Sequence, residues 1–173
     1  MKYTNIRFLM IIGFLAFFGC NKSDDGSYVA PITVYEKIAG QWNLMNLKMV
    51  DEVAKASNIS PNEQNLSTWF NYDTFQITFN VDGDNKPTTY EVMGNVPPLF
   101  AASGYYELST PFQPTTANPI LIHLYSDAAH TNLTDVLQLT AVPGTNAQMQ
   151  ITLVRTSGGT PFVSYVFNLM ANN

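Results

Sequence analysis

Residues 74–81 read Thr74-Phe75-Gln76-Ile77-Thr78-Phe79-Asn80-Val81. Phe75, Ile77, Phe79 and Val81 alternate with Gln76, Thr78 and Asn80. A strict period of two marks a strand with one dry face and one wet face. The next residues, Asp82-Gly83-Asp84-Asn85-Lys86, supply turn chemistry, and 88–93 return as a partner strand, which makes a hairpin.

The same pattern extends in both directions. Downstream, 104–109 alternate through Tyr106 and Leu108, and 120–125 form an apolar run broken by His123. Residues 133–142 place Leu137, Leu139 and Ala141 on one face. Residues 147–155 set Met149, Ile151 and Leu153 against Gln148, Gln150 and Thr152, and 163–169 alternate through Tyr165 and Phe167. Pro143-Gly144 and Gly158-Gly159 turn the chain between them. Upstream, 41–50 supply an opening strand, and 34–39 make a helical turn stopped by Gly40. Some eight short strands joined by hairpin turns predict an all-β, antiparallel sandwich or up-and-down barrel. Two stretches do not fit the meander. Residues 51–68 are long and polar, suited to a helical turn or a lid. Residues 94–103 form a loop that carries Pro97, Pro98, Leu99 and Phe100. Long loops in small domains tend to be functional or mobile. No internal repeat is present.

Composition bounds the rest. The chain has 173 residues, one domain's worth, with 46% hydrophobic and only 12% charged residues, about half the usual 25%. That is not a disordered composition. A formal charge of −5 leaves no basic surface for phosphates, so nucleic acid is excluded as a partner.

The N-terminus predicts an address. Lys2 and Arg7 precede an apolar run over 8–18 that closes on Gly19-Cys20. This is the layout of a secretory signal, and the run is too short to span a bilayer. Phe17-Phe18-Gly19-Cys20 resembles a bacterial lipobox, with Phe17 where Leu is usual. That resemblance implies a leader over 1–19, cleavage before Cys20 and acylation of its thiol. The alternative is an ordinary secretory signal with an incidental cysteine. Cys20 is the only cysteine, so no disulfide forms within the chain. Losing the leader and its two bases takes the formal charge from −5 to −7. An acidic body needs its lipid to hold it at a membrane, and stable anchoring takes more than one acyl chain. Residues 20–33 read as a polar tether. Its Lys22-Ser23-Asp24-Asp25 resembles the acidic export signal of surface lipoproteins in Bacteroidetes-type bacteria, which implies an outer-membrane, cell-surface location. A periplasm-facing anchor is the alternative.

Gly40-Gln41-Trp42, at the start of the first strand after a short helical turn, matches the G-x-W pattern of lipocalins. The second lipocalin motif, a T-D-Y-like turn, is not recognisable. The chain therefore resembles the uncharacterised lipocalin-like lipoproteins of Bacteroidetes-type bacteria over 34–173. The resemblance implies an eight-stranded up-and-down barrel. It also implies that Trp42 closes the barrel base, stacked on an arginine from a late strand, for which Arg155 is the candidate. A plain core aromatic is the other reading of Trp42.

Chemistry is harder to find. His123, Asp127 and His130 offer ligand types for a metal, but a strand and its turn give them no shared focus, and turn hydrogen bonds are the expected use. Asp82 and Asp84 open like a calcium loop. Lys86 occupies a ligand position and Met93 the twelfth, so a hairpin turn is expected. Glu91, Glu107 and Asp135 are candidates for a glycosidase pair that nothing selects. The expectation is a monomeric, non-enzymatic protein without metal or cofactor. It binds either a small apolar ligand or a surface protein or glycan, or else serves as a structural lipoprotein with a filled core. Trp69, Phe70, Leu99 and Phe100 are the candidate binding surface, with Leu99 and Phe100 as core plugs the alternative. Tyr105, Tyr106 and Tyr72 are further aromatics able to stack on sugars.

Overall fold

The structure, a computed structural model, describes residues 29–95, 97 and 99–172. The expected leader, Cys20 and the first part of the tether lie outside them. The barrel unit begins at Ile32. Thr33, read from sequence as the end of the tether, starts the fold instead. Its hydroxyl accepts from Glu36 N (3.2 Å) while its own N–H donates to Glu36 Oε1 (3.0 Å). This capping box starts helix α1 (Val34–Ile38). The helix C-cap is Ala39, and Gly40 follows at φ 105°. That left-handed geometry suits glycine and swings the chain from helix into strand.

Nine strands follow: β1 (Gly40–Asp51), β2 (Glu63–Asn65), β3 (Gln76–Val81), β4 (Pro87–Met93), β5 (Ser103–Leu108), β6 (Ile120–Tyr125), β7 (Leu133–Ala141), β8 (Gln148–Ser157) and β9 (Thr160–Ala171). All pair antiparallel, in the order β1-β3-β4-β5-β6-β7-β8-β9, and β9 returns to β1. The result is a closed eight-stranded up-and-down barrel, the member of the pair offered by the alternation that the lipocalin resemblance implied. β2 is an appendage on the second half of β1. Between its pairings with β3 and β2, β1 keeps its backbone satisfied by other means: Leu44 N donates to Phe75 O (3.1 Å) and Leu47 N to Ser67 Oγ (2.8 Å).

The two barrel ends differ. At one end α1 lies across the opening with Val34, Tyr35 and Ile38 buried. It is tied down by Val34 N to Pro111 O (2.8 Å) and by Tyr35 Oη, which accepts from Leu108 N (3.1 Å). The other end carries the 52–75 connection, which includes helix α2 (Glu52–Ala56) and a 3-10 turn (Leu66–Thr68), the 94–102 loop, the 126–132 turn and the Gly158-Gly159 hairpin. The long segment after β1 is thus helix, strand and turn in succession.

The inward residues fill the barrel. Two aromatic groups meet along it: Tyr35, Tyr106 and Phe79 towards the α1 end (centroids 6.4 and 5.1 Å), and Phe75, Phe167 and Phe100 towards the other (5.5 and 5.8 Å). Ile77, Ile122, Leu124, Leu137, Ile151 and Leu153 are fully buried between them. Bulges decide which residues point in. In β1 the register shifts between Leu44 and Asn46. Trp42 and Leu44 point in before the bulge, Leu47 after it, and Met45 is left outside. A second shift between Leu139 and Ala141 leaves Ala141 exposed, not beside Leu137 and Leu139 as the alternation suggested.

The outer wall is polar. Asn168 Nδ2 donates to Asn46 Oδ1 (2.7 Å), Gln150 Nε2 to Asn168 Oδ1 (2.8 Å), and Thr140 Oγ1 to Gln150 Oε1 (2.8 Å), a chain of side-chain bonds across four strands. A barrel that spans a membrane shows an apolar band outward, the inverse of this arrangement. Among the described residues no helix is long and apolar enough to cross a membrane.

Trp42 is buried, and its indole N–H donates to Ile38 O at 2.7 Å. Truncating a buried indole removes its packing and leaves that carbonyl without a partner. Trp42→Ala should therefore destabilise the fold by about 3–5 kcal/mol in urea unfolding. A loss below about 1 kcal/mol would show that the ring does not secure α1 to the barrel.

Candidate functional site

The end away from α1 gathers most of the residues singled out from sequence. Trp69 and Phe70 follow the 3-10 turn and are the most exposed aromatics of the barrel unit, Trp69 at 71%. Phe70 stacks on Tyr72 (5.7 Å, 28° between planes), and Tyr72 in turn packs against the core. The same end also exposes Val53, Ile59, Met93, Leu133 and Phe162.

Leu99 and Phe100 behave differently. Both are half-buried against the core, and the Phe100 ring meets Phe167 nearly edge-on, at 5.8 Å and 70°. The loop that carries them is latched from several sides. Tyr90 Oη donates to Ala101 O (3.1 Å), Arg155 Nη2 donates to Leu99 O, and Asn95 N donates to Thr74 Oγ1 (2.9 Å). Gly94 begins the loop at φ 85°, where a Cβ would overlap the Thr74 carbonyl. Glycine is needed there for the backbones to approach. Of the four candidate surface residues, Trp69 and Phe70 are therefore exposed, while Leu99 and Phe100 plug the mouth.

Arg155 is not beside Trp42, which corrects the barrel-base assignment. On β9 Trp42 is opposite Ala171 and Arg155 is opposite Val163. Eight residues of strand separate them, about 26 Å, so they sit at opposite ends. Arg155 points into the mouth, where Nη1 donates to Asp135 Oδ1 at 2.9 Å. The G-x-W reading located Gly40 and Trp42 at the base. The partner of Trp42 there is the Ile38 carbonyl of α1, not a guanidinium. The Asp135–Arg155 pair at the mouth went unread because two inward charges on neighbouring strands leave no pattern along the chain.

The remaining candidates are dispersed or occupied. The Asp127 carboxylate accepts from Thr131 N (3.1 Å), Thr131 Oγ1 (2.9 Å) and Asn132 N (2.7 Å). These bonds, with Thr131 N foremost, hold its carboxyl below the ordinary value. The turn uses it as expected, and among the described residues no group of three metal-ligating side chains converges. Asp82 likewise accepts from Asp84 N and Lys86 N, both at 2.9 Å, in the β3–β4 turn. Glu91 and Glu107 stand on the outer faces of β4 and β5. Glu91 is opposite Ser103, four residues before Glu107, so the two carboxylates lie about 13 Å apart along the strands. Glycosidase pairs need roughly 5–9.5 Å. Asp135 faces inward and is already paired.

A family described as a domain of unknown function (DUF5004) matches residues 18–170, and the chain belongs to that family. No curated protein and no solved structure matches the chain. The closed eight-stranded barrel fits an uncharacterised lipocalin-like family.

Two expectations follow from this packing. Phe100→Ser should lower stability by about 2 kcal/mol, since it removes a half-buried ring packed on Phe167 and introduces a hydroxyl. Trp69→Ala should change stability by no more than about 0.5 kcal/mol, as at an ordinary surface site. Urea midpoints of the two variants test this, and equal losses would refute the division into plug and surface.

The second expectation is an alkaline limit. Burial, with a smaller effect from the Asp135 charge, pushes the Tyr90 hydroxyl up to about 12 from 10.0, and burial also raises Tyr106 and Tyr35. An acid with a raised pKa in the fold keeps its proton longer folded than unfolded. Its stabilising contribution is complete below pH 10 and is lost as pH rises through 12. For Tyr90 it amounts to roughly 2–3 kcal/mol. Tyrosinate absorbance should therefore show the three buried tyrosines ionising together with unfolding. Ionisation of all nine tyrosines before any loss of β signal would contradict it.

Proposed function

We propose that this chain is a lipid-anchored, non-catalytic binding module with a filled barrel, acting through its outer surface and exposed loops. The observation that carries this reading is the interior itself. The Tyr35–Tyr106–Phe79 and Phe75–Phe167–Phe100 groups occupy the space an apolar ligand would need. The loop over the mouth is held by Arg155, Tyr90 and Thr74. Eight strands enclose a space that side chains alone can fill. Of the two binding modes read from sequence, contact with a surface partner therefore fits better than uptake of a small apolar molecule.

The exposed Trp69 and Phe70 support a contact surface at the loop end. Isolated apolar residues are ordinary on a surface. Seven large ones on segments at a single end are a concentration, and such concentrations mark interaction sites. Anchoring rests on Gly19-Cys20 after the apolar run, and surface display on Asp24 and Asp25. The expected species is monomeric, on the outer face of an outer membrane.

Cells expressing the chain test the anchor. The mature protein should enter the detergent phase, and Cys20→Ala should release it or leave it unprocessed. Unchanged membrane association of that variant would overturn the anchor. The binding mode has a separate test. Titration of the purified protein with palmitate should show no stoichiometric binding, whereas a saturable one-to-one complex would restore the cavity reading.

A further inference from the structure

A third region, on the outer wall of the barrel and bordered by the 126–132 turn, has the chemistry of a ligand site. On the outer wall of β3–β6 a groove of about 360 Å³ is lined by Asn80, Thr89, Glu91, Ser103, Tyr105 and Ser126. Asn80 Nδ2 donates to Thr89 Oγ1 (3.1 Å), which fixes both side chains and leaves the Asn80 carbonyl and its second N–H free for other partners. Tyr105 stands at the edge. Its neighbour across the strand pair is Tyr125, and His130 lies flat on the Tyr125 ring at 4.6 Å and 11°. His130 and Tyr105 centroids are 6.4 Å apart. Three half-buried rings thus form a rim beside a row of hydroxyl, amide and carboxylate groups.

The rim is held in place by more than packing. His130 has φ 55°, a left-handed conformation that non-glycine residues seldom adopt. The Asp127 carboxylate bonds around it hold the turn, and Asn132 Nδ2 fixes Ser126 Oγ at 2.6 Å. Glu107 Oε2 lies 3.6 Å from His130 Nδ1 on the other side. None of these side chains belongs to the core, so filling the barrel does not account for the arrangement.

We infer that this groove binds a neutral oligosaccharide, with a sugar ring laid on Tyr105 and its hydroxyls bonded to Thr89, Glu91, Ser103 and Asn80. Sugars present an apolar C–H face that suits an aromatic ring and a circle of hydroxyls that both donate and accept. The groove matches both faces. An apolar ligand would leave its polar lining unpaired. An anionic glycan or nucleic acid would meet Glu91, Glu107 and the net negative charge of the chain. A peptide added as a strand needs a free sheet edge, and β3 to β6 are paired on both sides. The volume is at the small end of ligand pockets, room for roughly one or two sugar rings. The wide spacing of Glu91 and Glu107 is compatible with holding a glycan and not with cleaving it.

This site stands apart from the loop-end surface, and the test separates them. Calorimetric titration of the detergent-solubilised full chain uses five neutral probes: the hexasaccharides of β-1,4-glucose, α-1,4-glucose, β-1,4-xylose, β-1,4-mannose and β-1,4-N-acetylglucosamine. Hexagalacturonate is the anionic comparison. At least one neutral probe should bind saturably, at millimolar Kd or tighter, and better than hexagalacturonate. Tyr105→Ala and Thr89→Ala should each weaken it tenfold or more with Tm unchanged. Tyr105→Phe, which keeps the ring, should retain binding, and Trp69→Ala at the loop end should have no effect. The inference is overturned if no neutral probe binds at 10 mM, if Tyr105→Ala and Thr89→Ala bind as the parent does, or if the anionic probe is preferred. Loss of binding in Trp69→Ala alone would move the sugar to the loop end and overturn it equally.

Discussion

The pairing of β1 with β9 is the constraint on which the structure depends. Nine register pairs, from Trp42 opposite Ala171 to Asp51 opposite Val163, join segments more than a hundred residues apart. Bringing them together costs loop-closure entropy that only the completed ladder and core offset. Once made, the pairing removes the two long free edges that an eight-stranded sheet would otherwise expose. It also fixes the interior volume, which then has to be filled by what the strands carry. Phenylalanine and tyrosine do most of this, because a few large rings fill a narrow core with little side-chain entropy lost.

Filling the interior has consequences at both ends. A barrel packed with rings still exposes the last layer at each opening, and the chain covers the two differently. At the base it uses its own N-terminal turn, held by the Thr33 box and by Trp42 bonding back to Ile38. At the mouth it uses a loop whose carbonyls are taken by Arg155 and Tyr90. The Asp135–Arg155 pair is partly solvated, so its role is better read as positioning donors for Leu99 O than as a large stabilising term. A polar latch of this kind gives the loop one orientation, which Leu99 and Phe100 then use to pack.

Much of this was legible along the chain. β6 matches its sequence boundaries, and β3, β4, β5, β7 and β8 fall within about two residues of theirs, because alternation against Gln, Thr and Asn is unambiguous on a wall that is wet outside. β1 was readable only as an opening strand, since the bulge at Met45 reverses which residues face inward, and periodicity cannot signal its own phase shift. The same applies to Ala141. Among site residues, Trp42 was found through a local pattern, Gly-x-Trp, that the backbone needs. Its supposed partner Arg155 was wrong because strand order alone does not say which end of a strand a residue occupies. Leu99 and Phe100 could be read from sequence as surface or as core plugs, and the choice depends on Phe167, 67 residues further along. Tyr105 was named among aromatics able to stack on sugars, but its rim with Tyr125 and His130 was not legible, because it needs the β5–β6 register and the left-handed turn at His130 together.

The outer wall bears on the kind of recognition available to such a molecule. The chain has 17 asparagines and 7 glutamines against 21 charged residues, and its exterior is a mesh of amides and hydroxyls bonded to one another. A surface of this kind has little long-range field with which to draw in a partner or to accelerate encounter. Recognition then rests on short-range terms, namely directional hydrogen bonds and stacked rings, each of modest size. Affinities built from a single small groove or a pair of exposed rings are correspondingly limited. They become useful when the protein and its partner are both confined to one surface, where tethering raises the effective concentration without any new contact. A weakly charged barrel with rings outside as well as inside, carried on the anchor proposed above, is consistent with that economy. Its filled core supplies rigidity, and the proposed binding falls to the wall and the loops.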